Sequence, residues 1–270
     1  MNIAYALLAV SFFITACNNA DLKDKANQET EDITPPLLQY ELIKELPHDT
    51  SSYTEGLLFH DGKLFESTGH TSAYSFSRSL FGEVDTTTGK IKPKGEIDPS
   101  KYFGEGIVFL KGKVYQLTDT THIGFIYDSK TFKKLGEFHY DGDGWGLTTN
   151  GHQIIMSNGS SNIIFRDPVS FRSVKTLSVT NNNGPVSNIN ELELIKGFIY
   201  ANQWLTNNIL KIDTSTGIVV GKLDLGELKA RVDNKYDNAQ EMNGIAYDSV
   251  LNQVYITGKL WPAIYIIRIN

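Results

Sequence analysis

At 270 residues, with 40% hydrophobic and 21% charged side chains, the chain has ordinary globular composition and the length for one sizeable core. A formal charge of −6, with no block of like charge, argues against a nucleic-acid partner, which would need a basic stripe. Cys17 is the only cysteine, so no intrachain disulfide and no cysteine-rich metal site can form.

The chain opens with an apolar run from Ile3 to Ile14, the length of a signal-sequence core and short of the ~20 residues that cross a bilayer. It ends in Ile14-Thr15-Ala16-Cys17, which resembles the bacterial lipobox, although Ile replaces the usual Leu and no Lys or Arg precedes the run. Residues 1–17 are therefore expected to be a lipoprotein signal peptide, with Cys17 lipidated and the protein held at the periplasmic or outer side of a bacterial cell envelope. The alternative is a buried N-terminal segment with a free thiol. A lipidated Cys17 would leave the mature domain without a thiol nucleophile. Residues 18–36 are polar, end in Pro35-Pro36 and read as a flexible tether.

From Leu37 to Asn270, runs of β-branched and aromatic residues alternate with Gly- or Asp-bearing turns, and no helical period is evident. One phrase recurs five times: Tyr53-Thr54-Glu55-Gly56-Leu57, Phe103-Gly104-Glu105-Gly106-Ile107, Gly144-Trp145-Gly146-Leu147, Ile189-Asn190-Glu191-Leu192 and Met242-Asn243-Gly244-Ile245. Each phrase opens a strand-like run and is followed by a second one, such as Val114-Tyr115-Gln116-Leu117 or Ile199-Tyr200-Ala201-Asn202. Third strands end at Asp85, Asp128, Asp167 and Asp213, each before a turn whose amides the aspartate is expected to cap. The fifth unit runs out after its third strand, and Leu38 to Ile43 supply the missing one. The predicted fold is all-β: a five-bladed β-propeller of four-stranded antiparallel blades over 37–270, its ring closed by the N-terminal strand.

In such a ring the first strands line the axis, so their variable residues Glu55, Glu105, Trp145, Asn190 and Asn243 face one mouth. The second strands return to that mouth, and the equivalent phase there holds Gly69, Asp119, Gly159, Trp204 and Lys259. A carboxylate in an indole-lined cleft trades protons near neutrality, and indole N–H groups are donors suited to a carbonyl oxygen gaining charge. Other readings stay open at individual positions: Glu105 as a backbone-amide acceptor, both tryptophans as core between blades, Asn190 and Asn243 as turn formers, Lys259 as a solvated charge. The six histidines show no metal-ligand spacing.

Those phrases, with Asn190-Glu191-Leu192-Glu193, Ile199-Tyr200-Ala201-Asn202-Gln203-Trp204, Asn243-Gly244-Ile245-Ala246-Tyr247-Asp248 and Thr257-Gly258-Lys259-Leu260-Trp261-Pro262, resemble the plant and bacterial type of glutaminyl cyclase. The resemblance spans about Tyr40 to Ile269. It implies a five-bladed propeller that converts N-terminal glutamine of peptides and proteins to pyroglutamate with release of ammonia, without cofactor or metal. Carried onto this sequence, it makes Glu105 the essential glutamate and puts Phe103, Trp145, Asn190, Trp204 and Lys259 in the substrate pocket, with Tyr53, Glu55 and Asp119 beside them. Two positions depart: Glu55 stands where the family often has Gln, and Asp119 where it usually has Trp. The rival expectations are a non-enzymatic ligand- or partner-binding propeller, which Asp119 favours, and a calcium-dependent propeller lactonase using Glu55, Asp119 and Asn243.

Overall fold

The computed structural model describes residues 34–270. The signal peptide expected at 1–17, the lipidation at Cys17 and residues 18–33 of the expected tether lie outside the described residues. The rest folds as five four-stranded antiparallel sheets arranged as propeller blades. Blade one comprises Thr54–His60, Lys63–Thr68, Leu80–Val84 and Ile91–Glu96. Blade two comprises Gly104–Leu110, Lys113–Thr118, Ile123–Asp128 and Lys134–His139, and blade three Leu147–Thr149, Ile154–Met156, Asn162–Arg166 and Ser173–Ser178. Blade four comprises Ile189–Ile195, Phe198–Gln203, Asn208–Asp213 and Val219–Asp224. Blade five takes Met242–Asp248, Gln253–Gly258 and Ala263–Ile269 from the end of the chain and Tyr40–Pro47 from its beginning.

The closing strand runs antiparallel to the last one, pairing Tyr40 with Ile269 and Pro47 with Ala263, and supplies the outer strand of blade five. It starts later than the sequence suggests, because Leu37 and Leu38 instead run beside Lys222 of blade four, with the Leu38 N–H donating to Lys222 O at 2.8 Å. Just past the closing strand, His48 donates from Nδ1 to Trp261 O (2.8 Å), while its Nε2 lies 3.0 Å from the Glu66 carboxylate. This fully buried pair ties blade five to blade one.

The core lies between the blades. Five apolar clusters fill the five interfaces, for instance Leu58, Phe65, Phe81, Ile107, Phe109 and Val114 between blades one and two. Third-strand aspartates cap the following turns as expected: Asp128 Oδ1 accepts the Lys130 and Thr131 N–H groups (3.0 and 2.7 Å), and Asp213 Oδ1 those of Ser215 and Thr216 (both 2.9 Å). One helix, Gly226–Asp233, links blades four and five. It buries only Leu228 and Val232, so its apolar face is too short to register as a period in the sequence.

Around the axis the inner strands almost touch. A Cβ at Gly106 would sit 2.7 Å from Trp145 O, and one at Gly146 would sit 2.5 Å from Asn190 O. At Gly106 and Gly146 the recurring glycine therefore reflects close backbone approach, whereas Gly244 is needed for a φ of 126°. Blade four carries Glu191 in place of that glycine. Its carboxylate reaches across the axis, Oε1 accepting Leu57 N–H (3.2 Å) and Oε2 accepting Ile245 N–H (2.8 Å), which joins blades four, one and five. Burial and the neighbouring Glu193 push this carboxyl well above the ordinary range, against the pull of those two amides. Glu191→Ala should orphan both buried donors and lower the unfolding free energy by about 1–3 kcal/mol per lost partner. Chemical denaturation measures this, and unchanged stability would remove Glu191 as a tie.

Candidate active site

The variable residues reach the mouth through a repeated backbone irregularity. Strand register slips between Thr54 and Gly56, Gly104 and Ile107, Ile189 and Leu192, and Met242 and Ile245. A bulge leaves a residue out of the ladder and re-aims its side chain. Glu55, Glu105, Asn190 and Asn243 all lie inside these slips. In blade three the strand begins only at Leu147, and Trp145 is held ahead of it by its N–H donating to Ser157 O at 3.1 Å.

The residues that end the second strands meet them there. The Asp119 N–H donates to Phe103 O (3.0 Å), the Trp204 N–H to Asn188 O (2.8 Å), and the Lys259 N–H to Glu241 O (2.9 Å). Each partner carbonyl belongs to the residue two before a variable position, so both sets share one level. Gly69 and Gly159 hold the same phase and leave room for rings. A Cβ at Gly69 would lie 2.2 Å from the Phe103 ring, and one at Gly159 would lie 2.4 Å from the Trp145 ring. Trp145 and Trp204 are half-buried and meet edge to face at 5.5 Å, outside the apolar clusters between blades. They wall the mouth rather than fill the core. On the opposite side Tyr53 meets Phe103 at 6.0 Å and Tyr74 at 6.1 Å. Tyr74 comes from the serine-rich segment between the second and third strands of blade one. That segment is tied to itself by Ser77 Oγ donating to Tyr74 O (2.7 Å) and the Thr71 N–H donating to Ser77 Oγ (3.0 Å).

The charges sit at the floor. Glu105 is 6% exposed, and its Oε2 is buried with no partner among the described residues. Its backbone is fixed instead, since Glu105 O accepts Ser67 Oγ–H at 2.7 Å. Burial pushes the Glu105 carboxyl well above the usual carboxylate range, and Glu55, Asp119 and Asp143 push the same way against Lys259. Lys259 Nζ lies 2.8 Å from Glu55 Oε1 and 4.6 Å from the centre of the Tyr53 ring. Asn243 Nδ2 donates to Glu55 Oε2 (2.8 Å) and to Thr54 O (3.1 Å). Burial raises Glu55 against the pull of Lys259; burial lowers Lys259, but Glu55, Tyr53 and Glu105 together outweigh it and the net shift is upward. The 2.8 Å contact thus joins the Lys259 ammonium to a Glu55 carboxyl that burial pushes up to about 7. Asp119 is half-buried and raised by burial and by Asp143.

The positions of Glu55, Glu105, Trp145, Asn190 and Asn243, with those of Tyr53, Phe103, Asp119, Trp204 and Lys259, lie at one end of the axis, and Asn243 is bonded to Glu55 there. Sequence reasoning missed His48, Glu66, Glu191 and the binding role of Asn243 toward Glu55. The signal for Glu191 was present, as the one acidic residue at the phase where the other phrases carry glycine. Among the described residues, no group of three or more His, Cys, Asp or Glu side chains is disposed to hold a metal ion.

Fold and mouth together define a five-bladed propeller whose axial mouth brings together a buried carboxyl with one oxygen unpartnered among the described residues, an ammonium paired with a carboxyl, and two indoles. A sequence profile described as glutamine cyclotransferase matches residues 13–269. A glutaminyl-peptide cyclotransferase of Arabidopsis thaliana is 34% identical over 242 residues, which cover 88% of this chain and 74% of that protein. The crystal structure of Myxococcus xanthus glutaminyl cyclase aligns with a TM-score of 0.79 at 32% identity, covering 88% of this chain and 99% of that one. The chain belongs to the glutamine cyclotransferase family.

Lys259→Met should expose the cost of Glu55 standing alone. A carboxyl whose folded pKa exceeds its unfolded value supports stability below the unfolded value, ~4.3, and loses that support as pH rises through the folded value. Without its counter-charge Glu55 should titrate higher still. The melting deficit of the variant is therefore expected to be smallest near pH 4 and to grow toward pH 9, reaching several kcal/mol. A deficit that does not depend on pH would argue against the pair.

Proposed function

We propose that this protein converts the N-terminal glutamine of peptides and proteins to pyroglutamate, releasing ammonia. The observation that carries the reading is Glu105 Oε2, a buried carboxyl oxygen with no partner among the described residues, one position before Gly106, whose N–H donates to Trp145 O. Such an oxygen is free to exchange protons with a ligand, and family membership gives the ligand class.

The substrate carries its own nucleophile. Its α-amine attacks its own γ-amide carbon, so the pocket has only to fold the side chain back, which makes the step intramolecular. The free α-amine has a pKa of ~8 and attacks only when neutral. A Glu105 raised by burial is a stronger base, better matched to that amine than an ordinary carboxylate. As the nitrogen bonds to the carbonyl carbon of the side-chain amide, Glu105 takes its proton and delivers it to the amide nitrogen. The old carbon–nitrogen bond then breaks and ammonia leaves. Trp204 N–H, with Asn190 or Lys259, would meet the oxyanion, while Trp145, Phe103 and Tyr53 pack the glutamine side chain. Asp119 adds negative charge beside Glu105, and it is the one feature that favours a ligand-binding propeller without turnover.

Ammonia release from a glutamine-initiated dipeptide, with and without chelator, separates the readings. Cyclase turnover is expected in both conditions, whereas no release in either would select the binder and loss with chelator the calcium-dependent enzyme. Glu105→Gln should stay folded and lose a factor of ~100 or more in turnover. Near-normal activity in that variant would take Glu105 out of the mechanism.

The base and the amine must both be unprotonated, so log kcat/KM should fall toward acid pH with a limiting slope of about 2. A slope of about 1 would mean that the amine alone titrates. Anchoring of the enzyme to a bacterial envelope membrane belongs to the same proposal and rests on Ile14-Thr15-Ala16-Cys17.

A further inference from the structure

Glu55 is not available to a substrate. Both of its carboxylate oxygens are engaged, Oε1 by the Lys259 ammonium at 2.8 Å and Oε2 by Asn243 Nδ2 at 2.8 Å. Asn243 is in turn fixed by its second bond to Thr54 O at 3.1 Å, and only 1% of its surface and of Glu55's is exposed. Lys259 Nζ also rests 4.6 Å from the Tyr53 ring centre, so it is held from two sides.

We propose that Asn243 and Glu55 are positioning residues: together they clamp Lys259 and balance its charge, so that Glu105 and an incoming α-ammonium do not face an uncompensated cation. The inference deepens the cyclase reading and rests on it for its functional meaning, whereas the clamp itself is a matter of geometry and charge.

The physical need follows from the pocket's contents. A lone ammonium beside Glu105 would stabilise the carboxylate and weaken it as a base. It would also repel the positively charged amino terminus of a peptide. Paired with Glu55, Lys259 still presents N–H donors to a developing oxyanion but carries little net field.

The charged and titratable groups acting on Glu105 are Glu55, Lys259, Asp119 and Asp143, and the Tyr140 phenol also senses Glu105. Those acting on Glu55 are Lys259, Glu241 and Asp119. Of all these only Lys259 is a cation. Removing the charge of Glu55 therefore leaves Lys259 unbalanced and takes away a carboxylate that repels a charge on Glu105. Both changes favour ionised Glu105.

The test is a carboxyl titration that needs no turnover. Protein labelled with carbon-13 at the glutamate carboxyl carbons is titrated by NMR as wild type, Glu55→Gln and Asn243→Ser, and the Glu105 resonance is identified by its loss in Glu105→Gln. The Glu105 midpoint is expected to fall by roughly one unit or more in Glu55→Gln. It should fall by less in Asn243→Ser, where Glu55 loses a donor but keeps Lys259. This second variant carries the test if the first does not fold. A Glu105 midpoint that is unmoved or rises overturns the clamp whether or not the enzyme is active. In turnover, KM for a glutamine dipeptide with a free amino terminus should rise in Glu55→Gln. If wild type and Glu105→Gln are equally inactive, the cyclase reading fails while the titration still judges the clamp.

Discussion

The mouth is built by the crowding of inner strands around the propeller axis. At Gly106 and Gly146 the neighbouring backbone leaves no space for a Cβ. That closeness forces the bulges which turn Glu55, Glu105, Asn190 and Asn243 out of the strand ladder toward one opening. It also leaves amides of blades one and five facing the axis, where Glu191 accepts them. A looser ring would hold the same residues and point them elsewhere.

Crowding also sets the electrostatics. Side chains projected into so narrow a space lose water, and a carboxyl that loses water resists ionisation. Glu105 takes the full effect because no donor among the described residues satisfies its Oε2. Glu55 receives two partners and stays paired. Two glutamates at equivalent positions of neighbouring blades are thereby given different surroundings, one with a carboxyl oxygen left unpartnered among the described residues and the other held by Lys259 and Asn243. The difference between them lies in the partners supplied by blade five.

Much of this was legible in the chain. The five phrases announced five blades, because strands lining a common axis meet the same steric demand at the same phase. Their variable residues at that phase were recognisable as a converging set, and so were the second-strand residues Asp119, Trp204 and Lys259. Trp145 and Trp204 were ambiguous, since an indole suits an apolar interface as well as a pocket wall. Only their placement outside the clusters between blades decided it. The closing strand was foreseen, but its start was not, because pairing of Leu37 and Leu38 with blade four has no local signature.

The sequence by itself determined the ring, its closure and the cast of residues at its mouth, because repetition and strand alternation are local properties that a linear chain displays. The tertiary structure alone decided who touches whom: Glu55 with Lys259 and Asn243, Glu191 with two distant amides, Glu105 Oε2 with no partner among the described residues. Asn243 and Glu55 are 188 positions apart in the chain. Contacts at such separation arise only when the ring closes, and burial, which sets the charge of each group, exists only after it has closed.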